Sequence, residues 1–126
     1  MKLSFVKFTD TGVKFKKPGI GISIRSGFTF NNGFYREVGL DKYVGVILSY
    51  DKSEKAIGFS FSRNANDHSI FKLTKRGKMG AIVAHSFFNG HKIDTKKYAG
   101  WYEPETYEDP DQGKIYYIKL DEKREK

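Results

Sequence analysis

The chain has 126 residues, no cysteine, 16% aromatic residues and a formal net charge of +8. Its length suits one domain with a single core, and the absence of cysteine excludes disulfides, thiolate catalysis and cysteine-ligated zinc. No apolar run reaches the length of a membrane span, and residues 1–10 lack the apolar core of a signal peptide. We therefore expect a cytoplasmic protein, or one in the host cytoplasm if a phage encodes it, with no membrane partner.

The N-terminal segment predicts a basic arm followed by a hairpin. Residues 1–18 carry five lysines and end at the Pro18-Gly19 pair, which is typical of a break before the body of a domain. Alternating isoleucines over residues 20–24 predict a strand, and Phe28-Thr29-Phe30 predicts its return strand after a short turn.

A short helix is predicted next. Asn31 or Asn32 is suited to cap the segment Gly33–Val38, because a side-chain oxygen there can accept a free amide hydrogen of the first turn. Gly39 is suited to end this segment, because glycine adopts the left-handed conformation of a helix C-terminus at low cost.

The clearest element is a hairpin made of Tyr43–Tyr50 and Ala56–Ser62, joined by the polar loop 51–55. In the second strand, Ile57, Phe59 and Phe61 alternate with small residues. The small residues on the opposite face are Ala56, Gly58, Ser60 and Ser62. This face either lets another molecule approach the backbone closely or relieves crowding in a curved sheet.

The apolar residues of 70–73 lead into the basic segment Thr74–Lys78, which predicts a hairpin tip. Ala81–Asn89 has an apolar pattern compatible with a helix that stops at Gly90, although Ile82-Val83 would also suit a strand.

The C-terminal part predicts a second aromatic hairpin. Its strands are Tyr98–Tyr107 and Lys114–Leu120, with an acidic loop around residues 108–111. Residues 121–126 are expected to form a frayed polar tail.

Charge is distributed unevenly along the chain. Residues 1–100 hold 18 Lys or Arg and seven acids, whereas residues 101–126 hold five Lys or Arg and eight acids. A basic body attracts polyanions, although charge alone does not name the partner.

The segment Lys42–Ile93 resembles the single-stranded-DNA-binding core of the eukaryotic coactivator positive cofactor four, and Whirly proteins are similar. The resemblance lies in an aromatic-valine strand (KYVGVILSY), a charged turn, a second apolar strand ending in a basic residue (AIGFSFSR), a basic hairpin (KLTKRGKMG) and a following helix. The longer first loop and the short helix depart from that pattern. A phage or bacterial homologue would suit a chain without a serine-rich tail.

The resemblance implies an α+β fold, in which a strongly curved antiparallel sheet packs with a short helix and two chains form a homodimer. We expect a single domain over residues 1–126, with residues 1–18 as the arm and residues 42–93 as the core. Residues 94–120 then form a C-terminal hairpin extension, and residues 121–126 the tail.

The resemblance also implies which residues bind the nucleic acid and which form the dimer. The nucleic-acid-binding residues that the resemblance implies are Tyr50, Arg63, Lys72, Lys75, Arg76 and Lys78. Tyr43, Lys52 and Phe71 lie close to these in sequence and are further candidates. The resemblance places Phe87, Phe88 and Ile93 at the dimer interface. Because aromatic residues are enriched in protein interfaces, we expect Trp101 and Tyr116 of the C-terminal hairpin to enlarge it. Each aromatic residue could instead be an ordinary core residue. The basic hairpin could instead be an ordinary solvated loop.

These residue types suit single strands because such strands offer regularly spaced phosphates and unstacked base faces. Lysines and arginines neutralise the phosphates, and each base stacked on an aromatic ring contributes about 1–3 kcal/mol. No recognition helix with bidentate readers is evident, so we expect little sequence specificity. The expected partner is single-stranded DNA, or RNA, with a role in replication, recombination or transcription.

The acidic residues of the C-terminal part have two interpretations. They either fold over a basic groove of this chain or of a partner chain and compete with DNA, or they form a solvated loop. They are Glu103, Glu105, Glu108, Asp109 and Asp111.

An alternative is a duplex-binding regulator. Residues 22–62 have the order strand, strand, short helix, strand, strand, which is similar to the swapped-hairpin AbrB-type transition-state regulators. In that reading the basic residues are Arg25 and Arg36.

An enzyme is a further alternative, and its candidate catalytic residues are His68, His85 and His91. No metal-binding HExxH spacing, nucleophile elbow or phosphate-binding glycine loop is present. We therefore expect no catalytic residues, no metal, no cofactor and no small-molecule substrate. An interaction protein that pairs through the aromatic C-terminal hairpin is compatible with the main interpretation.

Overall fold

A computed structural model describes residues 2–7 and 17–124. They form two five-stranded sheets in which every neighbouring pair of strands is antiparallel. The first sheet has the spatial order β6 (Thr74–Arg76), β7 (Met79–Val83), β2 (Gly27–Phe30), β1 (Ile20–Ser23) and β8 (Gly100–Tyr102). The second has the order β5 (Phe71–Lys72), β3 (Gly45–Asp51), β4 (Ala56–Ser62), β10 (Gly113–Lys119) and β9 (Glu105–Asp109). The helices are α1 (Asn32–Val38), α2 (His85–Gly90) and α3 (Thr95–Tyr98).

The chain passes between the sheets three times, once through α1 between β2 and β3 and twice at short corners. Leu73 separates β5 from β6, and the Glu103-Pro104 pair separates β8 from β9. The predicted α+β class and antiparallel pairing are confirmed, whereas the prediction of one sheet is wrong. The strands divide into two sheets because β2 pairs with β7, and β4 with β10, across large sequence separations.

One aromatic core fills the space between the sheets. Phe28 of β2 contacts Phe59 of β4 edge-on, with the ring centroids 4.9 Å apart and the planes at 88°. On its other side Phe28 stacks on Phe88 of α2, also at 4.9 Å. Strand alternation directs such rings inward from both sheets, so the two inner faces share one core.

The predicted cap of α1 is present, and Asn31 supplies it. The Asn31 Oδ1 atom accepts hydrogen bonds from the backbone N–H groups of Phe34 (3.0 Å) and Gly19 (2.9 Å), and Nδ2 donates to the carbonyl of Lys17 (2.9 Å). Gly39 ends the helix with φ of 75°, as predicted. The asparagine therefore ties the helix to the chain that enters β1.

Replacing Asn31 with alanine is expected to lower the free energy of unfolding by about 2 kcal/mol. The change leaves three backbone groups without their partner at a residue that is only 5% exposed. Denaturant titration measures the loss. Asn66→Ala, in an exposed loop, is the control and is expected to cost less than about 0.5 kcal/mol. Equal effects of the two substitutions would contradict the bridging role.

The helix predicted over Ala81–Asn89 is only partly present. Its first residues belong to β7, where Ile82 pairs with Phe28, and the helix α2 begins at His85. The β-branched Ile82-Val83 pair favours a strand, and β2 is available as its partner. In α2, Phe87 and Phe88 are buried in the core of their own chain.

The C-terminal segment is an integral part of both sheets and not an extension beside a core. Strand β10 lies between β4 and β9, and β8 forms an edge of the first sheet. The described part of the expected tail is also packed: the Arg124 N–H donates to the Trp101 carbonyl at 2.7 Å, and the Arg124 guanidinium donates to the Pro18 carbonyl. Residue 1 and residues 8–16 of the expected arm, and residues 125–126, lie outside the described residues. None of the helices in the described ranges is long and apolar enough to cross a bilayer.

Candidate nucleic-acid interface

The segment 41–45, just before and at the start of β3, connects three parts of the chain. The Val44 N–H donates to the carbonyl of Ser62 at 2.8 Å, and the Val44 carbonyl accepts from the N–H of Leu73 at 3.0 Å. The end of β4 and the end of β5 therefore lie on either side of this segment.

Two lysines of the basic hairpin converge on Asp41. The Lys75 ammonium donates to the backbone carbonyl of Asp41 at 3.1 Å, and the Lys78 ammonium lies 3.5 Å from the Asp41 carboxylate. The other carboxylate oxygen accepts from the Tyr35 hydroxyl at 2.5 Å. The Lys78 ammonium also lies 5.9 Å from the centroid of the Tyr35 ring. These contacts hold the β6–β7 hairpin beside the C-terminal end of α1.

The contacts around Asp41 also determine its charge. The hydrogen bond from Tyr35 lowers the pKa of the Asp41 carboxyl, and the charges of Lys78 and Lys75 lower it further. Burial raises the pKa of Tyr35 to about 12, and the bond to Asp41 contributes to the rise. At neutral pH the carboxylate is ionised and the phenol is neutral, so Asp41 anchors the lysines at this position.

A row of three half-buried rings begins at Tyr43, two residues after Asp41. The Tyr43 and Phe61 centroids are 5.8 Å apart, and those of Phe61 and Tyr116 are 6.0 Å apart. Phe34 of α1 is fully buried and supports the row from below, with its centroid 5.8 Å from that of Phe61 and 5.3 Å from that of Tyr116. The row is therefore held in place by the core.

An exposed cation lies at each end of the row. The Arg63 guanidinium carbon lies 5.4 Å from the Tyr43 centroid, and the Lys114 ammonium lies 5.1 Å from the Tyr116 centroid. Asp41, which holds the two lysines, is two residues before Tyr43, so the Cα atoms of these two residues are at most about 7.6 Å apart. We call this set the basic aromatic surface: Tyr43, Phe61, Arg63, Lys75, Lys78, Lys114 and Tyr116.

The structure brings together some of the predicted nucleic-acid-binding residues and separates others. Tyr43, Arg63, Lys75 and Lys78 belong to the basic aromatic surface. Phe71 faces the core, and Lys72, next along the strand, projects from the opposite side of the same sheet edge. Arg76 is exposed on the same β6–β7 hairpin as Lys75 and Lys78.

Tyr50 and Lys52 lie at the other end of the β3–β4 hairpin. Tyr50 packs against the rings of His91 at 5.0 Å and Phe87 at 6.3 Å. Tyr50 is seven positions along the chain from Tyr43, which is roughly 23 Å of extended strand. These two residues are therefore not part of the basic aromatic surface.

The residues expected at a dimer interface occupy three different environments. Phe87, Phe88 and Ile93 are buried within their own chain, which leaves them little surface for a partner. Trp101 covers Gly21 on the outer face of the first sheet, and its ring atoms lie 3.2 Å from where a Gly21 Cβ would be. Tyr116 belongs to the ring row.

The acidic strand does not cover the basic hairpin of the same chain. Strand β9 is one edge of the second sheet and β5 is the other edge. Four inter-strand spacings separate them, which amounts to roughly 19 Å. The basic hairpin belongs to the first sheet and continues from β5 through Leu73, so the width of the second sheet lies between it and β9. Lys114 of β10, by contrast, lies directly opposite Glu108 of β9.

Two residues of the basic aromatic surface, Phe61 and Lys114, were missing from the predicted site, and Tyr116 was assigned to a dimer contact. The alternation in β4 indicated that Phe61 shares a face with Phe59, but no local signal showed that β10 lies beside β4. That pairing is what brings Tyr116 to Phe61.

The structure contains some features of the two alternatives, the swapped-hairpin regulator and the enzyme. The order strand, strand, helix, strand, strand over β1, β2, α1, β3 and β4 is observed, and both hairpins pair with later strands of the same chain. The His91 ring packs on Phe87 and Tyr50. Within the described ranges, no three His, Asp or Glu side chains are placed to hold a metal ion.

Comparison with family models, curated proteins and solved structures finds no match to this chain.

Proposed function

We propose that this protein binds single-stranded nucleic acid, without sequence preference and without catalysis, at the basic aromatic surface. The observation that carries the proposal is the ring row Tyr43–Phe61–Tyr116 with a cation at each end. A role in replication, recombination or transcription follows from that activity.

The ring row provides surfaces on which unpaired bases stack. Its three rings are tilted against one another by 45° and 64°, so successive bases meet rings of different orientation. Every base has an aromatic face, so stacking of this kind tolerates any sequence. Paired bases in a duplex are already stacked and cannot use the row, which favours single strands.

The cations provide the phosphate contacts. Arg63 lies against the Tyr43 ring and is exposed, so its N–H groups remain available to phosphate oxygens. Lys75, Lys78 and Lys114 are exposed as well. Among the contacts described above, the Asp41 carboxylate pairs with Lys78, and Lys75 donates to the Asp41 backbone carbonyl. The surface therefore keeps an excess of positive charge.

Fluorescence anisotropy of labelled oligonucleotides, titrated at several salt concentrations, tests the proposal. Oligo(dT) is expected to bind more tightly than a duplex of the same length. The logarithm of its association constant should fall linearly with the logarithm of the salt concentration, with a slope of about −0.7 for each phosphate neutralised.

An oligo(U) arm in the same assay shows whether the ligand is DNA or RNA. Preference for one particular duplex over oligo(dT) would contradict the proposal and favour the swapped-hairpin regulator. Absence of binding to all three ligands at low salt would reject a nucleic-acid function.

A further inference from the structure

The outer face of the second sheet contains a groove of about 450 Å³. Small side chains form its floor, and Gly58 is central: a Cβ there would lie 2.4 Å from Ser49 Oγ and 3.0 Å from Ile115 Cγ2. Tyr107 and Tyr117 line the β9–β10 side of the groove. Its volume is within the range of about 300–1,000 Å³ found for ligand pockets.

The groove is acidic in a protein that is otherwise basic. Asp51, Glu54 and Asp109 line it together with a single basic residue, Lys119. Hydrogen bonds from the Ser53 hydroxyl (2.8 Å) and the Glu54 N–H (3.2 Å) lower the pKa of Asp51, so this carboxylate is ionised at neutral pH. The charge excludes a phosphate backbone and favours a cationic occupant.

A segment with matching chemistry is present in the same chain. In residues 2–7, with the sequence KLSFVK, the side chains of Leu3, Phe5 and Val6 are 66%, 90% and 90% exposed. Lys2 and Lys7 are exposed at its two ends. Three neighbouring apolar side chains left in water, between two lysines, indicate a surface that binds a partner.

We propose that residues 2–7 of a second copy of this chain occupy the groove. The Phe5 ring packs against Tyr107 and Tyr117. Lys7, two positions further along an extended segment, lies on the same face as Phe5 and meets the carboxylates of the groove. Within the described ranges β9 pairs only with β10, so its outer edge offers free backbone groups to an added strand. Six extended residues span roughly 20 Å, close to the length of β9 at roughly 17 Å.

Such a contact is heterologous, because the segment of one copy meets the groove of the next. It therefore predicts assemblies that grow with protein concentration. The proposal does not depend on nucleic-acid binding, and its test contains no nucleic acid.

Sedimentation of the whole chain over a wide concentration range tests the contact. Phe5→Ala and Tyr107→Ala, each at an exposed side chain, are each expected to weaken self-association at least about tenfold. Ile24→Ala, at another exposed apolar side chain, is the matched control and should leave self-association unchanged. A mixture of the two variants should associate, because one supplies an intact groove and the other an intact segment.

Cysteine trapping identifies the occupant, since the natural chain has no cysteine. Ser4→Cys and Gln112→Cys are made in separate chains, mixed and oxidised. A reducible species of twice the chain mass, reduced in yield by Phe5→Ala, is expected. Self-association that is insensitive to both Phe5→Ala and Tyr107→Ala would overturn the proposal. A protein that stays monomeric at every concentration would also overturn it. An internal disulfide in a chain that carries both cysteines, without a crosslinked dimer, would show that the segment occupies the groove of its own chain.

Discussion

Replacing Arg63 and Lys114 together with alanine is expected to weaken oligo(dT) binding by about 10-fold to 100-fold at low salt. Both side chains are exposed at the ends of the ring row, so the fold should tolerate their loss. If each neutralises one phosphate, the slope of log affinity against log salt becomes shallower by about 1.4. Anisotropy titrations at several salt concentrations measure both quantities.

A ring variant separates stacking from charge. Tyr43→Leu keeps an apolar contact with Phe61 but removes the flat face. It should lower the affinity by about 1–3 kcal/mol with the salt slope unchanged. The control for the Arg63 and Lys114 double variant is Lys52→Ala with Lys96→Ala. It removes the same two positive charges at exposed positions outside the basic aromatic surface. An equal loss of affinity in this control would show that binding depends on net charge alone and not on the proposed surface.

Replacing Phe28 with alanine is expected to lower the free energy of unfolding by about 3–5 kcal/mol. Phe28 is 1% exposed and contacts Phe59 across the sheets and Phe88 of α2. Removing its ring opens a cavity that rigid neighbours on both sides cannot close. Because domains of this size are stable by only about 5–15 kcal/mol, the variant approaches unfolding at room temperature.

Urea denaturation followed by tryptophan fluorescence and circular dichroism measures this loss. Val83→Ala, at an exposed residue on the neighbouring strand β7, is the control and should change stability by less than about 0.5 kcal/mol. A loss near 1 kcal/mol for Phe28→Ala would show that the two sheets do not pack tightly through this ring.

Local sequence patterns were enough to predict several of the individual strands and the capped helix. The alternation of Ile57, Phe59 and Phe61 and the polar loop 51–55 predicted the β3–β4 hairpin, which is observed. The Asn31 cap and the Gly39 stop of α1 were predicted because both depend on groups within a few residues of one another. The basic hairpin of β6 and β7 followed in the same way from its turn at Gly77.

Which of these elements become neighbours depends on pairing over the whole chain and could not be predicted from local patterns. Strand β10 pairs with β4 although Tyr116 and Phe59 are far apart in sequence, and this pairing creates the ring row. The tertiary structure also places Tyr50 near α2 and away from Tyr43, although Tyr50 is on β3 and Tyr43 is just before it. The physical reason is that hydrogen bonding and burial select strand partners over the whole chain, whereas hydrophobic alternation and capping act only within a few residues.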